Sequence, residues 1–136
     1  MIQGRVLAID YGEVRVGIAL SDPLRILATP FVVLKNDGNL LENIKKIIIE
    51  KQVSQIVLGL PINLKGKDSK KTEEIREFYR KLKDYMSLPI ELVDERFTTY
   101  EANAELKKMG YSVKESRKVI DKIAASLILK SYLKQI

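Results

Sequence analysis

The 136-residue sequence predicts an α/β protein, with one five-stranded mixed sheet that carries helices on both faces. Two apolar, β-branched runs near the start, separated only by "YGE", indicate an antiparallel hairpin. From residue 40 onward, helical patterns alternate with short apolar runs, which is typical of parallel strands joined by helices. The run "QIVLGLP" is continuously apolar, as in a strand that is buried on both faces.

The first half of the chain supplies three strands and a helix. Residues 4–10 and 14–20 predict the hairpin, with Gly12 in its turn. Residues 29–35 predict a third strand at the edge of the sheet, because Pro30 cannot donate a ladder hydrogen bond. After the turn "NDGN", helical spacing defines an apolar stripe made of Leu40, Leu41, Ile44, Ile47 and Ile48.

The next part of the chain alternates between strand and helix. Residues 55–61 predict the buried strand, and residues 63–69 a loop. Residues 70–86 predict a charged amphipathic helix. "IELVDE", directly after Pro89, predicts the fifth strand. The inward-facing residues of the helix are expected to be Ile75, Phe78, Tyr79 and Leu82.

The last part of the chain contains two capping boxes. Thr98 with Glu101 predicts the start of a helix that runs to about Met109 and ends at Gly110. Ser112 with Glu115 predicts a second start, which we expect to open a short turn before a final helix over residues 120–134. With no linker or repeat, residues 1–136 are expected to form one domain.

The chain has neither cysteine nor histidine, and these two absences narrow the chemistry. The chain has no cysteine, which excludes disulfides, thiolate metal sites and a thiol nucleophile. It has no histidine, so imidazole ligands and the commonest general base are also excluded. A metal ion must therefore be held by oxygen atoms, which favours Mg²⁺, Mn²⁺ or Ca²⁺ over Zn²⁺. No apolar run is long enough to span a membrane, and we expect a cytoplasmic protein.

The formal charge of +6 lies in one part of the chain. Residues 1–50 carry equal numbers of basic and acidic side chains, so the whole excess belongs to residues 51–136. A basic surface favours a polyanionic partner, with nucleic acid first among the candidates, although a solvated lysine-rich surface explains the charge equally well.

Carboxylates stand where two predicted strands end. Asp10 ends the first strand, and Asp94 and Glu95 end the fifth. Ligands of open α/β sheets bind beyond the carboxyl ends of parallel strands, so these side chains are expected to share one edge. Neighbouring strand residues point to opposite faces, so only one of Asp94 and Glu95 should face the site, and the longer Glu95 is favoured. Asp121, followed by small alanines on its helix, is the third candidate.

Three converging carboxylates would repel one another unless a cation neutralised them. One or two divalent ions at such a site activate water and stabilise the leaving oxygen of a phosphodiester. This chemistry needs no histidine, so it is compatible with the composition.

Four stretches resemble the blocks of the YqgF (RuvX) family, in family order and spacing. They are "AIDYGEVRVGIALSD" (8–22), "VLGLPINLKG" (57–66), "DERFTTYEA" (94–102) and "IDKIAASLILKSYL" (120–133). Members are described as pre-16S rRNA nucleases or as Holliday-junction-resolvase-like proteins, and the resemblance covers essentially the whole chain.

The resemblance implies an RNase H-like fold and metal-dependent phosphodiester cleavage, with Asp10, Glu95 and Asp121 as catalytic metal ligands for Mg²⁺ or Mn²⁺. It also implies maturation of the 5′ end of small-subunit ribosomal RNA. The chain departs from related proteins at two positions. Lys65 stands where relatives often have an acidic residue, and Ala124 stands where RuvC-type resolvases carry a second aspartate. Three carboxylates in place of four leave the number of bound metals open.

Basic residues near these motifs are candidate contacts for the nucleic acid backbone. Arg15 and Arg96 flank the predicted site, and each has either a phosphate or an internal carboxylate as its expected partner. Other lysines and arginines cluster at the third loop and near Asp121. These are Lys65, Lys67, Lys70, Lys71, Arg117, Lys118 and Lys122.

Several functions remain open from the sequence alone. The first is a nuclease that processes structured RNA, and a related alternative is a Holliday junction resolvase acting on branched DNA. Another is a binding module of the same fold that has weak or no catalysis. A sugar kinase or actin-like ATPase shares the Asp-x-Gly hairpin, but such enzymes need two domains of this kind. A symmetric resolvase must be a homodimer, whereas an RNA-processing enzyme can be a monomer.

Overall fold

The computed structural model describes residues 4–60, 70–94, 104 and 106–134, and gives only the backbone at residues 113 and 116–122. Within these ranges the chain forms five strands and three long helices. In chain order these are β1 (Arg5–Tyr11), β2 (Arg15–Ser21), β3 (Ala28–Lys35), α1 (Leu40–Glu50), β4 (Val53–Leu60), α2 (Lys70–Tyr85), β5 (Ile90–Asp94) and α3 (Val113–Leu133).

The five strands form one mixed sheet in the order β3-β2-β1-β4-β5. β1, β2 and β3 pair antiparallel, whereas β4 runs parallel to both β1 and β5. The expected α/β architecture is therefore confirmed, including the hairpin, the strand buried on both faces and the position of β3 at the edge. Pro30 lies beside a register shift between β3 and β2, where the ladder is already interrupted and its missing N–H costs little.

Each face of the sheet has its own core. Leu7 and Ile9 of β1 pack with α1 and α2, whereas Val6 and Ala8 pack with α3. This alternation follows from the two-residue period of a strand. We call the two surfaces the α1/α2 face and the α3 face.

The two amphipathic helices bury the predicted stripes. In α1 the buried residues are Leu40, Ile44 and Ile47, with Leu41 and Ile48 packed beside them. In α2 they are Thr72, Ile75, Phe78 and Leu82, with Tyr79 partly buried against the same core. Of the helices in the described residues, none combines the length and apolar character that a membrane span requires.

The C-terminal region differs from the sequence prediction. Residues 113–133 form one helix, not a short turn followed by a helix over 120–134. Ser112 and Glu115 form the predicted capping box, but it opens the long helix directly. Lys114 and Glu115 are exposed, so this first turn carries no apolar stripe that could have revealed it. Once the capping box has hydrogen-bonded the first backbone amides, each further helical residue adds one backbone hydrogen bond for a small loss of conformational entropy.

Gly110 ends a helical turn in the way the sequence predicts. Its φ angle is +91°, a conformation that favours glycine. The Gly110 amide donates to the Lys107 carbonyl, and the Tyr111 amide donates to the Leu106 carbonyl. This pair of bonds is the Schellman motif that commonly ends a helix. The predicted start at Thr98 lies outside the described residues.

The loop between β2 and β3 contains a carboxylate that predicts a pH dependence of stability. Asp22 Oδ1 accepts hydrogen bonds of 2.7 Å from the amides of Leu27 and Ile26. The Leu27 bond is the largest of the causes that hold the Asp22 pKa below its ordinary value of 3.8. Because the folded pKa is the lower one, this stabilisation is complete above about pH 3.8 and is lost as the pH falls through the folded pKa.

Asp22→Asn tests this dependence, because asparagine keeps an acceptor oxygen but does not titrate. We expect the wild-type protein to have the higher Tm at pH 6, with the difference shrinking as the pH falls below about 3.8. Thermal unfolding followed by circular dichroism from pH 6 to pH 2.5 measures both variants. A difference that stays constant over this range contradicts the assignment.

Candidate active site

Asp10 lies at the carboxyl end of β1, on the α3 face. It follows Val6 and Ala8 at two-residue intervals, and both of these pack against α3. The Asp10 side chain is half-buried. Its partner across the β1–β2 ladder is Gly17, which has no side chain to cover the carboxylate. The sequence prediction that β1 presents a carboxylate at its carboxyl end is therefore confirmed.

The hairpin beside Asp10 requires a glycine at position 12. A Cβ atom at this position would overlap the carbonyl oxygen of Arg15. Asn36 stabilises the same turn, because its side-chain amide donates a 2.7 Å hydrogen bond to the Gly12 carbonyl. Close approach of two backbone segments thus fixes the turn that follows Asp10.

Asp94 lies on the face of the sheet opposite to Asp10. The ladder pairs it with Leu60, so it reaches the same end of the sheet as Asp10. Its neighbour Val93, however, packs in the core beneath α3. Alternation therefore directs the exposed Asp94 side chain to the α1/α2 face. Asp94 and Asp10 therefore belong to different faces, and the choice of Glu95 over Asp94 as the ligand stays a prediction, because Glu95 lies outside the described residues.

Helix α3 runs antiparallel to β1. Near its C-terminus, Tyr132 lies beside Glu91 at the start of β5, and burial together with this carboxylate raises the Tyr132 pKa. The start of β5 is the amino end of the parallel strands, opposite to Asp10. The backbone of residue 121 is eleven residues earlier on α3. It therefore lies about 16 Å further along the axis, toward the end of the sheet that carries Asp10.

Small residues allow α3 to approach the sheet, as the sequence predicts. Ala125 is buried in the same core as Ala8 and Val57. One turn later, Ile128 and Leu129 are fully buried between the helix and the sheet. Among the α3 side chains that the structure describes, contact with the sheet is seen from Ala125 onward, one turn after the backbone of residue 121.

The predicted site residues are only partly within the described chain. Arg15 is exposed at the start of β2, and Lys70 and Lys71 are exposed at the start of α2. The backbone of α3 includes four further candidates whose side chains are not described, namely Arg117, Lys118, Asp121 and Lys122. The remaining candidates lie outside the described residues, and they are Lys65, Lys67, Glu95 and Arg96.

Asp10 is a suitable ligand for a hard divalent cation, since its oxygens stand at the strand end beside a glycine. Among the described side chains there is no group of three acidic, histidine or cysteine residues that could hold a metal. Two of the three predicted ligands, Glu95 and Asp121, are outside that set. Because the chain has no cysteine or histidine, a metal ion at this site must be bound through oxygen atoms.

Comparison with known proteins agrees with the sequence resemblance. The sequence profile of RuvX, described as Holliday junction resolvase, matches residues 4–135. A protein of Dictyoglomus turgidum named "Putative pre-16S rRNA nuclease" is 44% identical, over 95% of this chain and 93% of its own length. A protein of the same name from Koribacter versatilis is 40% identical, over 98% of this chain and 89% of its own.

Solved resolvases share the fold at low sequence identity. T. thermophilus RuvC in complex with a Holliday junction substrate has a TM-score of 0.59 at 12% identity, covering 97% of this chain and 96% of RuvC. The fowlpox virus resolvase bound to Holliday junction DNA has a TM-score of 0.53 at 11% identity, covering 96% of this chain and 97% of its own. The fold is therefore RNase H-like, and the chain belongs to the RuvX family.

Proposed function

We propose that this protein is a divalent-metal-dependent endonuclease that hydrolyses phosphodiester bonds of structured RNA. Its natural task in this proposal is processing of the 5′ end of pre-16S rRNA in the cytoplasm. Support comes from membership of the RuvX family and from relatives that carry the name of a pre-16S rRNA nuclease at 40–44% identity. The observation that carries the proposal is the position of Asp10, which lies at the carboxyl end of β1 on the face that α3 covers.

In this proposal Asp10, Glu95 and Asp121 together hold Mg²⁺ or Mn²⁺. Asp10 supplies a half-buried carboxylate at the strand end. Glu95 is preferred to its neighbour because Asp94 belongs to the opposite face. Asp121 is proposed because the direction of α3 carries its backbone toward the same end of the sheet. When bound, the divalent cation activates the attacking water and stabilises the leaving oxygen of the phosphodiester.

The residues of the chain orient the substrate around that chemistry. The three carboxylates determine where a cation would bind. They thereby determine where the negatively charged reacting phosphate would be held. Basic side chains hold the flanking phosphates without reading the sequence. In this proposal they are Arg15, Lys65, Lys67, Lys70, Lys71, Arg96, Arg117, Lys118 and Lys122.

Resolution of branched DNA is the second candidate function. It is favoured by the structural likeness to two resolvases that were solved with Holliday junctions. A resolvase that cuts a four-way junction symmetrically acts as a homodimer, whereas RNA processing is compatible with a monomer. The two candidate functions therefore differ both in the substrate that is cleaved and in the oligomeric state of the protein.

A parallel cleavage assay tests the proposed function. A labelled RNA with an extended 16S 5′ end and a four-way DNA junction are each incubated with the protein in Mg²⁺, Mn²⁺ or EDTA. We expect metal-dependent cleavage of the RNA by a monomer, and light scattering reports the oligomeric state. Cleavage of only the junction, by a dimer, favours the resolvase. Nucleic acid binding without cleavage in any metal supports a binding module of the same fold instead.

The choice between the two carboxylates of β5 gives a separate prediction. We expect Glu95→Gln to lower cleavage by at least about tenfold, because loss of an ionised ligand weakens metal binding. Asp94→Asn makes the same change in charge on the opposite face and should keep activity within about twofold of wild type. Initial cleavage rates across a Mn²⁺ titration measure both variants, and the reverse ranking would assign the ligand to Asp94.

A further inference from the structure

Asp10 lies close to the point where the pairing of β1 with its neighbours ends. The parallel ladder between β1 and β4 has Ile9–Leu58 as its last pair, so Asp10 extends beyond it. On the other side, the antiparallel ladder with β2 continues for two more residues, Asp10 and Tyr11. Pairs at the end of a ladder open more readily than pairs inside it. The position of the Asp10 carboxylate therefore depends in part on what keeps the end of the β1–β2 hairpin closed.

Asn36 joins that end of the hairpin to the edge strand β3. Its backbone amide donates a 2.9 Å hydrogen bond to the Val14 carbonyl, which extends the β2–β3 pairing by one residue past Lys35. Its side-chain amide donates the 2.7 Å hydrogen bond to the Gly12 carbonyl. One residue thus bonds the carbonyls that precede and follow Glu13 in the turn. Through Asn36, β3 is connected to the end of β1, although β2 lies between the two strands.

The Asn36 side chain restricts the turn more than it stabilises the fold. Gly12 is half-buried, and Glu13 and Val14 are exposed, so water can reach the turn when the side chain is removed. A hydrogen bond that water can replace contributes little net stability. It still limits the conformations of the turn, because it fixes the distance between two backbone segments. Loss of this bond should therefore change the geometry of the hairpin end more than the Tm.

A second contact holds the hairpin end from the α1/α2 face. The Tyr11 ring stacks on Phe78 of α2, with the ring centroids 4.3 Å apart. Asn36 lines the same cleft as these two rings. Because neighbouring residues of a strand face opposite sides, the Asp10 carboxylate points away from this cleft, to the α3 face. Asn36 and Phe78 therefore support the chain next to Asp10 without occupying the side on which a cation would bind.

We propose that Asn36 is a positioning residue of the candidate active site. Its side chain keeps the end of the β1–β2 hairpin closed, and it thereby fixes the place of the Asp10 carboxylate that binds the divalent cation. The effect on the cation rests on the proposed function, whereas the hold on the hairpin does not. The sequence indicated only a turn at "NDGN", because the bond from Asn36 to Gly12 depends on how the strands pair.

Asn36→Ala tests this role, with Gln55→Ala as the matched control. The Gln55 side-chain amide also donates to backbone carbonyls, those of Ile56 at 2.8 Å and Pro89 at 3.1 Å. Gln55 lies near the start of β4, at the end of the sheet opposite to Asp10. Both substitutions thus remove the same kind of hydrogen bond, and each should lower the Tm by no more than about 5 °C.

Hydrogen exchange followed by mass spectrometry measures the hairpin directly. In EDTA, we expect the amides of residues 8–17 to exchange about three- to tenfold faster in Asn36→Ala than in wild type, and at the wild-type rate in Gln55→Ala. Calorimetric titration should show Mn²⁺ binding weakened by about the same factor in Asn36→Ala alone, because a displaced carboxylate is a poorer ligand. At one subsaturating Mn²⁺ concentration, Asn36→Ala should lower kcat and keep the KM for RNA within about twofold, since it removes no phosphate contact.

These measurements separate a positioning role from a purely structural one. Equal exchange in Asn36→Ala and wild type refutes the hold on the hairpin. Faster exchange with unchanged Mn²⁺ affinity refutes the effect on Asp10, and so do equal losses of affinity in both alanine variants, which indicate general destabilisation. If the wild type neither binds Mn²⁺ nor cleaves RNA, the proposed nuclease fails. Faster exchange confined to Asn36→Ala would still support the hold of Asn36 on the hairpin in that case.

Discussion

Asp10→Asn is expected to lower phosphodiester cleavage by about 10²–10³-fold, because a metal centre contributes several kcal/mol of transition-state stabilisation. Asparagine keeps the size of the side chain and one carbonyl oxygen, but it removes the negative charge that attracts the cation. The position at the carboxyl end of β1, opposite a glycine, leaves space for the new amide. The loss should therefore concern metal binding more than folding.

Direct measurement of metal affinity separates these two effects. Titration of Mn²⁺ by calorimetry should show weaker binding in Asp10→Asn, and the Tm in EDTA should stay close to that of wild type. Glu13→Gln is the matched control, since it removes one negative charge three residues later from the side of the hairpin that lines the α1/α2 cleft. It should bind Mn²⁺ and cleave RNA like the wild type. Full activity in Asp10→Asn would refute the proposed centre.

The strands were predictable because local chemistry determined them. Each sequence signal favours one position in a mixed sheet, and the structure has each at that position. The signals are the β-branched hairpin, the proline of the edge strand and the uninterrupted apolar run. The predicted carboxyl ends of the first two strands, at residues 10 and 20, are each one residue short of those in the structure, so Asp10 is the second-to-last residue of β1. Resemblance to a family then supplied the RNase H-like fold, which the pattern of strands and helices alone does not specify.

Features that depend on strand register or on solvent exposure could not be read from the sequence. The hydrogen bond from the Asn36 side chain to the Gly12 carbonyl forms only because β2 and β3 pair in one particular alignment. The first turn of α3 carries exposed Lys114 and Glu115, so its sequence lacks the apolar periodicity that identifies packed helices. The face of Asp94 likewise became clear only from the burial of its neighbour Val93.

Gly12→Ala is expected to destabilise the protein by about 1–3 kcal/mol, the usual range for forcing an extra group into a packed site. The new methyl group would overlap the carbonyl oxygen of Arg15, which is backbone and cannot rotate away. To relieve this overlap the hairpin would have to open at its turn, where the Asn36 side chain also donates a hydrogen bond to the Gly12 carbonyl. For a chain of this size we expect the Tm to fall by roughly 5–10 °C.

Gly38→Ala is the matched control for this substitution. A Cβ at position 38 meets no atom within 4 Å, so the same methyl group enters open space before α1. It should leave the Tm unchanged or raise it slightly, because alanine restricts the unfolded chain. Because the Gly12 turn follows Asp10 directly, Gly12→Ala should also weaken Mn²⁺ binding at temperatures where it remains folded, whereas Gly38→Ala should not. Equal Tm values for the two variants would show that the hairpin accommodates the methyl group without loss of stability. The Gly12 turn would then not be what fixes the position of Asp10.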